Sequence, residues 1–132
     1  MLKTRTLTVD IDRPAEDVYR FLIEPANLAG WTMLHNGRRQ PLAGPNSWTF
    51  DGPIGTLLVH FTPANPYLVV DYTTMRGAEV THQVHARVIR NGAATVVTHT
   101  AVQPPTVSDI AFGSEEEWLK VDLQVLKTLM ER

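Results

Sequence analysis

The 132-residue chain contains no cysteine, which excludes disulfide bonds and thiolate metal sites. It has no basic run longer than two residues, at 38–39, and its formal net charge is −2. Because phosphate contacts need a positively charged surface, nucleic-acid binding is disfavoured. No apolar run approaches the roughly 20 residues of a membrane span. The first ten residues also lack the apolar segment of a signal peptide. We therefore expect no membrane span and a cytoplasmic location.

Familiar catalytic signatures are also missing. There is no GxSxG motif, and Ser47, Ser108 and Ser114 stand where turns or helix caps are predicted. Neither GxGxxG nor a phosphate-binding loop is present. Five histidines occur, but none in HxH or HExxH spacing. The sequence therefore predicts no metal and no cofactor.

The chain does have 43% hydrophobic residues, enough for one sizeable core, and we expect a single domain over residues 1–132. Alternating and helical periodicities, with turn residues between them, give the order of elements. A strand at 5–11 precedes two short helices, and a meander of strands leads to one long helix. The predicted short helices are 15–23 and 26–31; the later strands are 38–42, 47–50, 56–62, 67–75, 79–90 and 94–103; the long helix is 114–132.

Hairpin turns decide which side chains share a face of the sheet. A two-residue turn at Asn91-Gly92 makes His82 and His99 diagonal neighbours on the core face, roughly 7–8 Å apart at the backbone. The preceding hairpin has two open registers. A three-residue loop at 75–77 turns Tyr72 inward, whereas a two-residue turn at 76–77 turns Asp71 inward. Apolarity favours Tyr72.

The last helix carries one acid among apolar residues. Ser114 and Glu117 form a capping box at its predicted start. One apolar stripe is Trp118, Val121, Val125 and Leu129; a second is Leu119, Leu123, Leu126 and Met130. Together the stripes cover about half the helix circumference. Asp122 falls within this arc and needs a partner, water or a raised pKa.

Four stretches resemble the START-like superfamily, also called SRPBCC, and its polyketide cyclase/dehydrase-like members in particular. They are TLTVDIDRPAEDVYRFLIEPANLAGWT, NPYLVVDYTT, RNGAATVVTHT and EWLKVDLQVLKTLMER. The resemblance implies an α+β helix-grip fold: a curved antiparallel β-sheet wrapped around a long C-terminal α-helix, with two short helices after the first strand. It also implies an apolar ligand cavity between sheet and helix. Activities differ widely within the superfamily, so the activity does not follow from the fold.

Three polar residues on core faces are the candidates for chemistry: His82, His99 and Asp122. A carboxylate beside an imidazole could act as a general acid/base or orient a ligand. A buried polar cluster satisfied internally or by water is the plainer interpretation. Two histidines and a carboxylate also match some catalytic metal sites, although no metal-binding spacing supports one.

The leading hypothesis is binding of a small, mostly hydrophobic ligand in the internal cavity, with aromatic and polyketide-like compounds as candidates. The predicted ligand-binding residues are Trp31, Trp48, Phe61, Tyr72, His82, Val84, His99, Trp118 and Asp122. One alternative is a cyclase, dehydratase or isomerase that uses His82, His99 or Asp122 as acid or base. Another is a non-enzymatic protein-interaction module. Leu58, Val69 and Val96, predicted to point outward, suggest a homodimer.

Overall fold

The computed structural model describes residues 1–132 and contains one seven-stranded antiparallel sheet and two α-helices. The strand order is β1-β7-β6-β5-β4-β3-β2. The strands are β1 Thr4–Ile11, β2 His35–Arg39, β3 Ser47–Gly52, β4 Gly55–Phe61, β5 Val69–Arg76, β6 Glu79–Asn91 and β7 Ala94–Val102. The helices are α1 Ala15–Leu22 and α2 Asp109–Met130, with 3₁₀ helices at Pro25–Gly30 and Pro41–Ala43. The predicted α+β helix-grip architecture is confirmed.

The core lies between one face of the sheet and one side of α2. Alternation along β1 buries Val9 and Ile11 and exposes the polar residues between them. The helix α1 and the first 3₁₀ helix close one end of this space through Val18 and Leu28. No helix has the length and apolarity needed to cross a membrane.

The β6–β7 turn lies one residue later than predicted. Asn91 pairs with Ala94, so the turn is Gly92-Ala93. Gly92 has φ 62°, the left-handed value that a type II′ turn requires at its first central residue. Each residue therefore has a partner two positions from the predicted one. Because side chains alternate between the two faces with a period of two, the predicted core faces are unchanged. His99 therefore lies opposite Ala86 and not opposite Val84.

The β5–β6 turn also lies later than either predicted register. Arg76 pairs with Glu79 across a turn that contains Gly77, with φ 61°. The register shifts just after Thr74, which leaves Val70 opposite Ala86 and not opposite His82. Tyr72 nevertheless faces the core, as predicted, and its neighbour Asp71 faces outward.

These two corrections separate the histidines that were predicted to be diagonal neighbours. His82 is four residues from Ala86, the residue opposite His99. At about 3.3 Å per residue this offset is roughly 13 Å along the strand. The predicted backbone spacing of roughly 7–8 Å is therefore wrong, although both residues lie on the core face and the charge of His82 contributes to the lowered pKa of His99.

The helix α2 begins earlier than predicted. Ser108 is its N-cap, and the Ser108 hydroxyl accepts a hydrogen bond from the Ala111 N–H at 3.1 Å. The predicted capping box of Ser114 and Glu117 is therefore wrong, since both residues lie inside the helix. The additional turns bury Phe112, which is 4% exposed and lies under the guanidinium of Arg5.

Only one of the two apolar stripes of α2 is buried. Leu123, Leu126 and Met130 are at most 8% exposed and pack on the sheet. Trp118 and Val121, on the other stripe, are more than half exposed. The helix packs on the sheet along one side only. The sheet therefore covers part of the apolar arc, and the rest stays exposed.

The turn-rich segment 33–55 differs in detail from the sequence prediction. The strand β2 spans His35–Arg39 and not 38–42, because Pro41 lacks an N–H for the ladder and begins a 3₁₀ helix. The strand β3 continues to Gly52, two residues beyond its predicted end. Its Phe50 is fully buried at the centre of the core.

Candidate functional site

A small apolar cavity lies between the concave face of the sheet and α2. Its volume is about 10 Å³, which is about the room that one water molecule needs. The polar side-chain groups of the lining residues are the Tyr72 hydroxyl, the His99 imidazole and the indole N–H of Trp31. The lining residues are Leu22, Leu28, Trp31, Phe61, Val70, Tyr72, Ala86, Val97, His99, Leu123 and Leu126.

Tyr72 and His99 form a buried polar pair in this lining. The Tyr72 hydroxyl lies 3.3 Å from His99 Nε2, across β6, where the small Ala86 sits opposite His99. His99 is 4% exposed, and its Nδ1 has no hydrogen-bond partner. Burial lowers the pKa of His99 to about 4, so the imidazole is neutral at pH 7. A neutral imidazole has one donor and one acceptor nitrogen, which leaves Nδ1 free for a third group.

Asp122 is the acidic residue of this site. Burial raises the pKa of its carboxyl to about 6. Burial also raises the pKa of Tyr72, and the negative charge of Asp122 adds to that increase. Asp122 does not line the cavity, and it acts on Tyr72 through its charge and not through a hydrogen bond.

His82 lies outside this pair. Its Nδ1 is 2.6 Å from Thr74 Oγ1, and its Nε2 is 3.1 Å from a carboxylate oxygen of Glu115. Both ring nitrogens therefore have partners, and the residue links β6 to the first half of α2. No direct contact joins the predicted constellation of His82, His99 and Asp122: His99 contacts Tyr72 and His82 contacts Glu115, while Asp122 acts on Tyr72, and His82 on His99, through charge. No three metal-ligating side chains come together to hold an ion.

An aromatic row crosses the concave face and ends at His99. Ring centroids of neighbouring members are 5.9–6.4 Å apart, within the range of favourable aromatic pairs. The row is Trp48, Phe50, Phe61, Tyr72 and His99. Phe61, Tyr72 and His99 give the cavity an aromatic wall, whose neighbouring rings are tilted by 40° and 69° to one another.

The nine predicted ligand-binding residues therefore occupy different places. Trp31, Phe61, Tyr72 and His99 line the cavity. Trp48 packs against the core in the aromatic row, and Val84 is buried beside Tyr72. Four of the nine residues do not line the cavity and lie elsewhere in or near the core: Trp48, Val84, His82 and Asp122. The prediction that Trp118 faces the cavity is wrong, because Trp118 is 56% exposed on the far side of α2.

Sequence reasoning missed most of the apolar lining. Leu22, Leu28, Val70, Ala86, Val97, Leu123 and Leu126 line the cavity but were not singled out. Their apolar periodicity marked them as core, and nothing in the sequence distinguishes a core residue that borders a cavity from one that does not.

The outer face of the sheet carries a separate polar network. Asp71 contacts His85 Nδ1 at 3.1 Å and Arg87 at 2.5 Å. His60 Nδ1 lies 2.7 Å from the hydroxyl of Ser47. These partners are satisfied within the sheet and are remote from the cavity.

The order of elements, the curved sheet and the long C-terminal helix together give the chain the START-like (SRPBCC) fold. Solved structures of this kind match it over nearly the whole length. A START superfamily protein from Mycobacterium smegmatis matches with a TM-score of 0.74, 15% identity and 97% coverage of both chains.

Two further neighbours are an aromatase/cyclase and a dimeric protein. The Zhui aromatase/cyclase from Streptomyces sp. R1128 has a TM-score of 0.77 and 14% identity, with 100% of this chain and 95% of that chain covered. The Aha1 dimer from Colwellia psychrerythraea has a TM-score of 0.74 and 18% identity, with 98% and 97% covered. No protein-family model and no curated protein matches the sequence. At these identities the likeness establishes the fold alone.

Proposed function

We propose that this protein binds a small, mostly apolar ligand between the sheet and α2, with the Tyr72–His99 pair contacting one polar group of that ligand. The observation that carries the proposal is the unpartnered Nδ1 of His99 in an otherwise apolar lining. A buried polar atom without a partner costs roughly 1–3 kcal/mol and calls for an explanation. A ligand carbonyl or hydroxyl would supply the missing hydrogen bond.

The aromatic row supports a flat ligand. Phe61 and Tyr72 line the cavity, and their rings continue to Trp48 through Phe50. Such a wall favours stacking with an aromatic or polyketide-like compound. The aromatase/cyclase among the structural neighbours has the same fold and agrees with this class of ligand.

Binding requires the cavity to enlarge. Pockets for small molecules usually have volumes of about 300–1,000 Å³, whereas the cavity here has about 10 Å³. The lining comes from α1 and the first 3₁₀ helix on one side and from α2 on the other. We therefore expect these helices to move apart when a ligand enters.

An acid–base enzyme of the cyclase, dehydratase or isomerase type is the second candidate. Asp122 has a pKa near 6, so its ionised form could accept a proton and the fraction still protonated near neutral pH could donate one, while the neutral His99 could act as an acceptor. Tyr72 lies 3.3 Å from His99 and could relay the proton. His82 is the weaker candidate because both its ring nitrogens already have partners.

Native mass spectrometry of the purified protein tests the binding proposal. We expect an additional mass from a co-purified small molecule, which denaturation releases for identification. His99→Leu should weaken binding of that molecule about tenfold or more, the equivalent of one lost hydrogen bond of about 1.4 kcal/mol.

His85→Gln is the matched control, because His85 is a histidine of the same sheet on its outer face. Equal effects of the two substitutions would show that the Tyr72–His99 pair does not contact the ligand. A purified protein that carries no small molecule, and that takes up none from a library of flat apolar compounds, would refute the proposal. The enzyme hypothesis would be favoured if the protein converted the identified ligand, and if Asp122→Asn abolished this turnover without weakening binding.

A further inference from the structure

The helix α2 has an apolar stripe that faces away from the core. Trp118 is 56% exposed, Val121 54% and Val125 41%. These residues are spaced by three and four positions and therefore share one side of the helix. A contiguous stripe with a tryptophan at one end is typical of a protein interface.

An open groove of about 730 Å³ runs along the same helix from Lys120 and Val121 to Arg132. It runs past Val125, Thr128 and Leu129 and is bordered by Gly30 of the first 3₁₀ helix. Trp118 is not part of the lining. The exposed surface of α2 therefore carries a projecting ring at Trp118 and a depression that begins about one turn away and continues to the end of the helix.

We propose that two copies of this chain pair through antiparallel α2 helices, with Trp118 of each copy in the groove of the other. A twofold axis that places Val121 against the partner's Val125 also places Trp118 against the partner's Thr128. The ring then meets the groove in both halves of the same symmetric contact. A parallel pairing would bring the two tryptophans together and leave both grooves empty.

The charges on this face are complementary in the same orientation. Glu117 precedes Trp118, and Arg132 lies in the lining of the groove near the other end of the helix. Arg132 takes part in none of the ion pairs within the chain. In this register Glu117, which pairs with Lys120 of its own chain at 2.9 Å, lies opposite the partner's Leu129, about one turn from the partner's Arg132, and the twofold axis repeats this juxtaposition. A membrane surface is the poorer occupant, because residues 115–117 are three consecutive glutamates and anionic lipids would repel them.

The size of the surface predicts a weak dimer. Stable specific interfaces bury about 1,200–2,000 Å² in total, and one face of a single helix reaches only the lower end of that range. We therefore expect dissociation constants in the micromolar range. The proposal is independent of ligand binding, because none of the three stripe residues lines the internal cavity.

Sedimentation velocity over micromolar to submillimolar concentrations tests the pairing. We expect a reversible monomer–dimer equilibrium in the wild-type protein, and we expect Trp118→Ser to weaken it about tenfold or more. Leu42→Ser is the control, since Leu42 is a fully exposed apolar residue outside α2. It should leave the equilibrium unchanged. Circular dichroism would verify that each variant is folded.

A charge exchange tests the orientation. Glu117→Arg and Arg132→Glu should each weaken the dimer, and the double variant should restore it, because the paired charges are then merely interchanged. A protein that stays monomeric throughout the concentration range would overturn the proposal. The proposal would also be overturned if Trp118→Ser left the dissociation constant of the dimer unchanged, or if the double variant did not restore dimerisation.

Discussion

Burial affects the two titratable groups of the site in opposite directions. It raises the pKa of Asp122 to about 6 and lowers that of His99 to about 4, because burial disfavours the charged form of either group. At neutral pH His99 is uncharged, while Asp122 is ionised at a cost to the folded state. A residue that lowers stability in this way is typical of a functional site.

We predict that Asp122→Asn stabilises the folded protein above pH 6. The folded-state pKa of about 6 exceeds the ordinary value of 3.8, so the folded state binds the proton more tightly than the unfolded state. Stability contributed by the protonated carboxyl is present below pH 3.8 and is lost as the pH rises through 6. Asparagine cannot ionise. After allowance for the partial exposure of Asp122, the free energy of unfolding should rise by about 1 kcal/mol at pH 7.5.

Urea unfolding of both proteins at pH 7.5 and pH 4 provides the measurement. Most of the difference should vanish at pH 4, where the folded wild-type carboxyl is already protonated. His99 contributes the reverse dependence, losing stability as pH falls from 6.5 toward 4, but it does so equally in both proteins. A gain of the same size at both pH values would mean that ionisation of Asp122 is not its cause.

At the scale of elements, the position of α2 shows how burial overrides a local sequence signal. Ser114 and Glu117 fit a capping box, yet the helix begins at Asp109. The earlier start gives Phe112 a buried site and gives Ser108 the capping role. It also places Gly113 inside a helix, at a cost of about 1 kcal/mol relative to alanine. Full burial of a phenylalanine is worth about 1.5–3 kcal/mol and exceeds that cost.

Two serine substitutions distinguish the observed cap from the predicted one. Ser108→Ala removes the acceptor for the Ala111 N–H and should lower the free energy of unfolding by about 1 kcal/mol. Ser114→Ala, in an exposed helical position, should change it by less than about 0.5 kcal/mol, with alanine favoured. Thermal or urea unfolding of the two variants would measure both values. A larger loss for Ser114→Ala would place the start of the helix at Ser114 after all.

The hairpins explain which parts of the site could be predicted from the sequence. Alternation of apolar and polar residues correctly placed Tyr72 and His99 on the core face. It could not identify their partners, because a turn one residue later leaves the faces unchanged but moves every partner by two positions. His99 consequently pairs with Tyr72, and His82 pairs with Glu115. That outcome depends on the turn geometry at Gly77 and Gly92, and the residue pattern is compatible with more than one turn there.

At the scale of the whole molecule, the architecture was easier to predict than the cavity. The order of strands and helices limits the fold to a few arrangements, and the resemblance to the START-like superfamily selects one of them. The volume of the cavity depends on how lining residues from both helices, one 3₁₀ helix and several strands fit together. Small differences in side-chain packing decide between a dense core and an open pocket, and no sequence pattern records them.

The closed cavity leads to a prediction about ligand uptake. A Cβ atom on Gly30 would lie 3.5 Å from Leu129 Cδ2, so these positions join the first 3₁₀ helix to α2. Cysteines at both positions, Gly30→Cys with Leu129→Cys, bring two thiols to this contact, and mass spectrometry would verify that oxidation joins them in a disulfide before uptake is measured. The natural chain has no cysteine, so no other intramolecular pairing competes. If uptake requires these elements to separate, the oxidised variant should bind an apolar fluorescent probe such as anilinonaphthalene sulfonate much more slowly than the reduced variant.

Stopped-flow fluorescence of the same protein in its oxidised and reduced states compares the two rates without any change of sequence. In the reduced state, the rate of uptake should level off at high probe concentration, because opening of the helices precedes binding. Equal rates in the two states would place the route into the cavity away from the contact between α2 and the first 3₁₀ helix. A rate that keeps rising in proportion to probe concentration would show that a pocket already stands open in solution, and the closed packing around His99 would then not limit access.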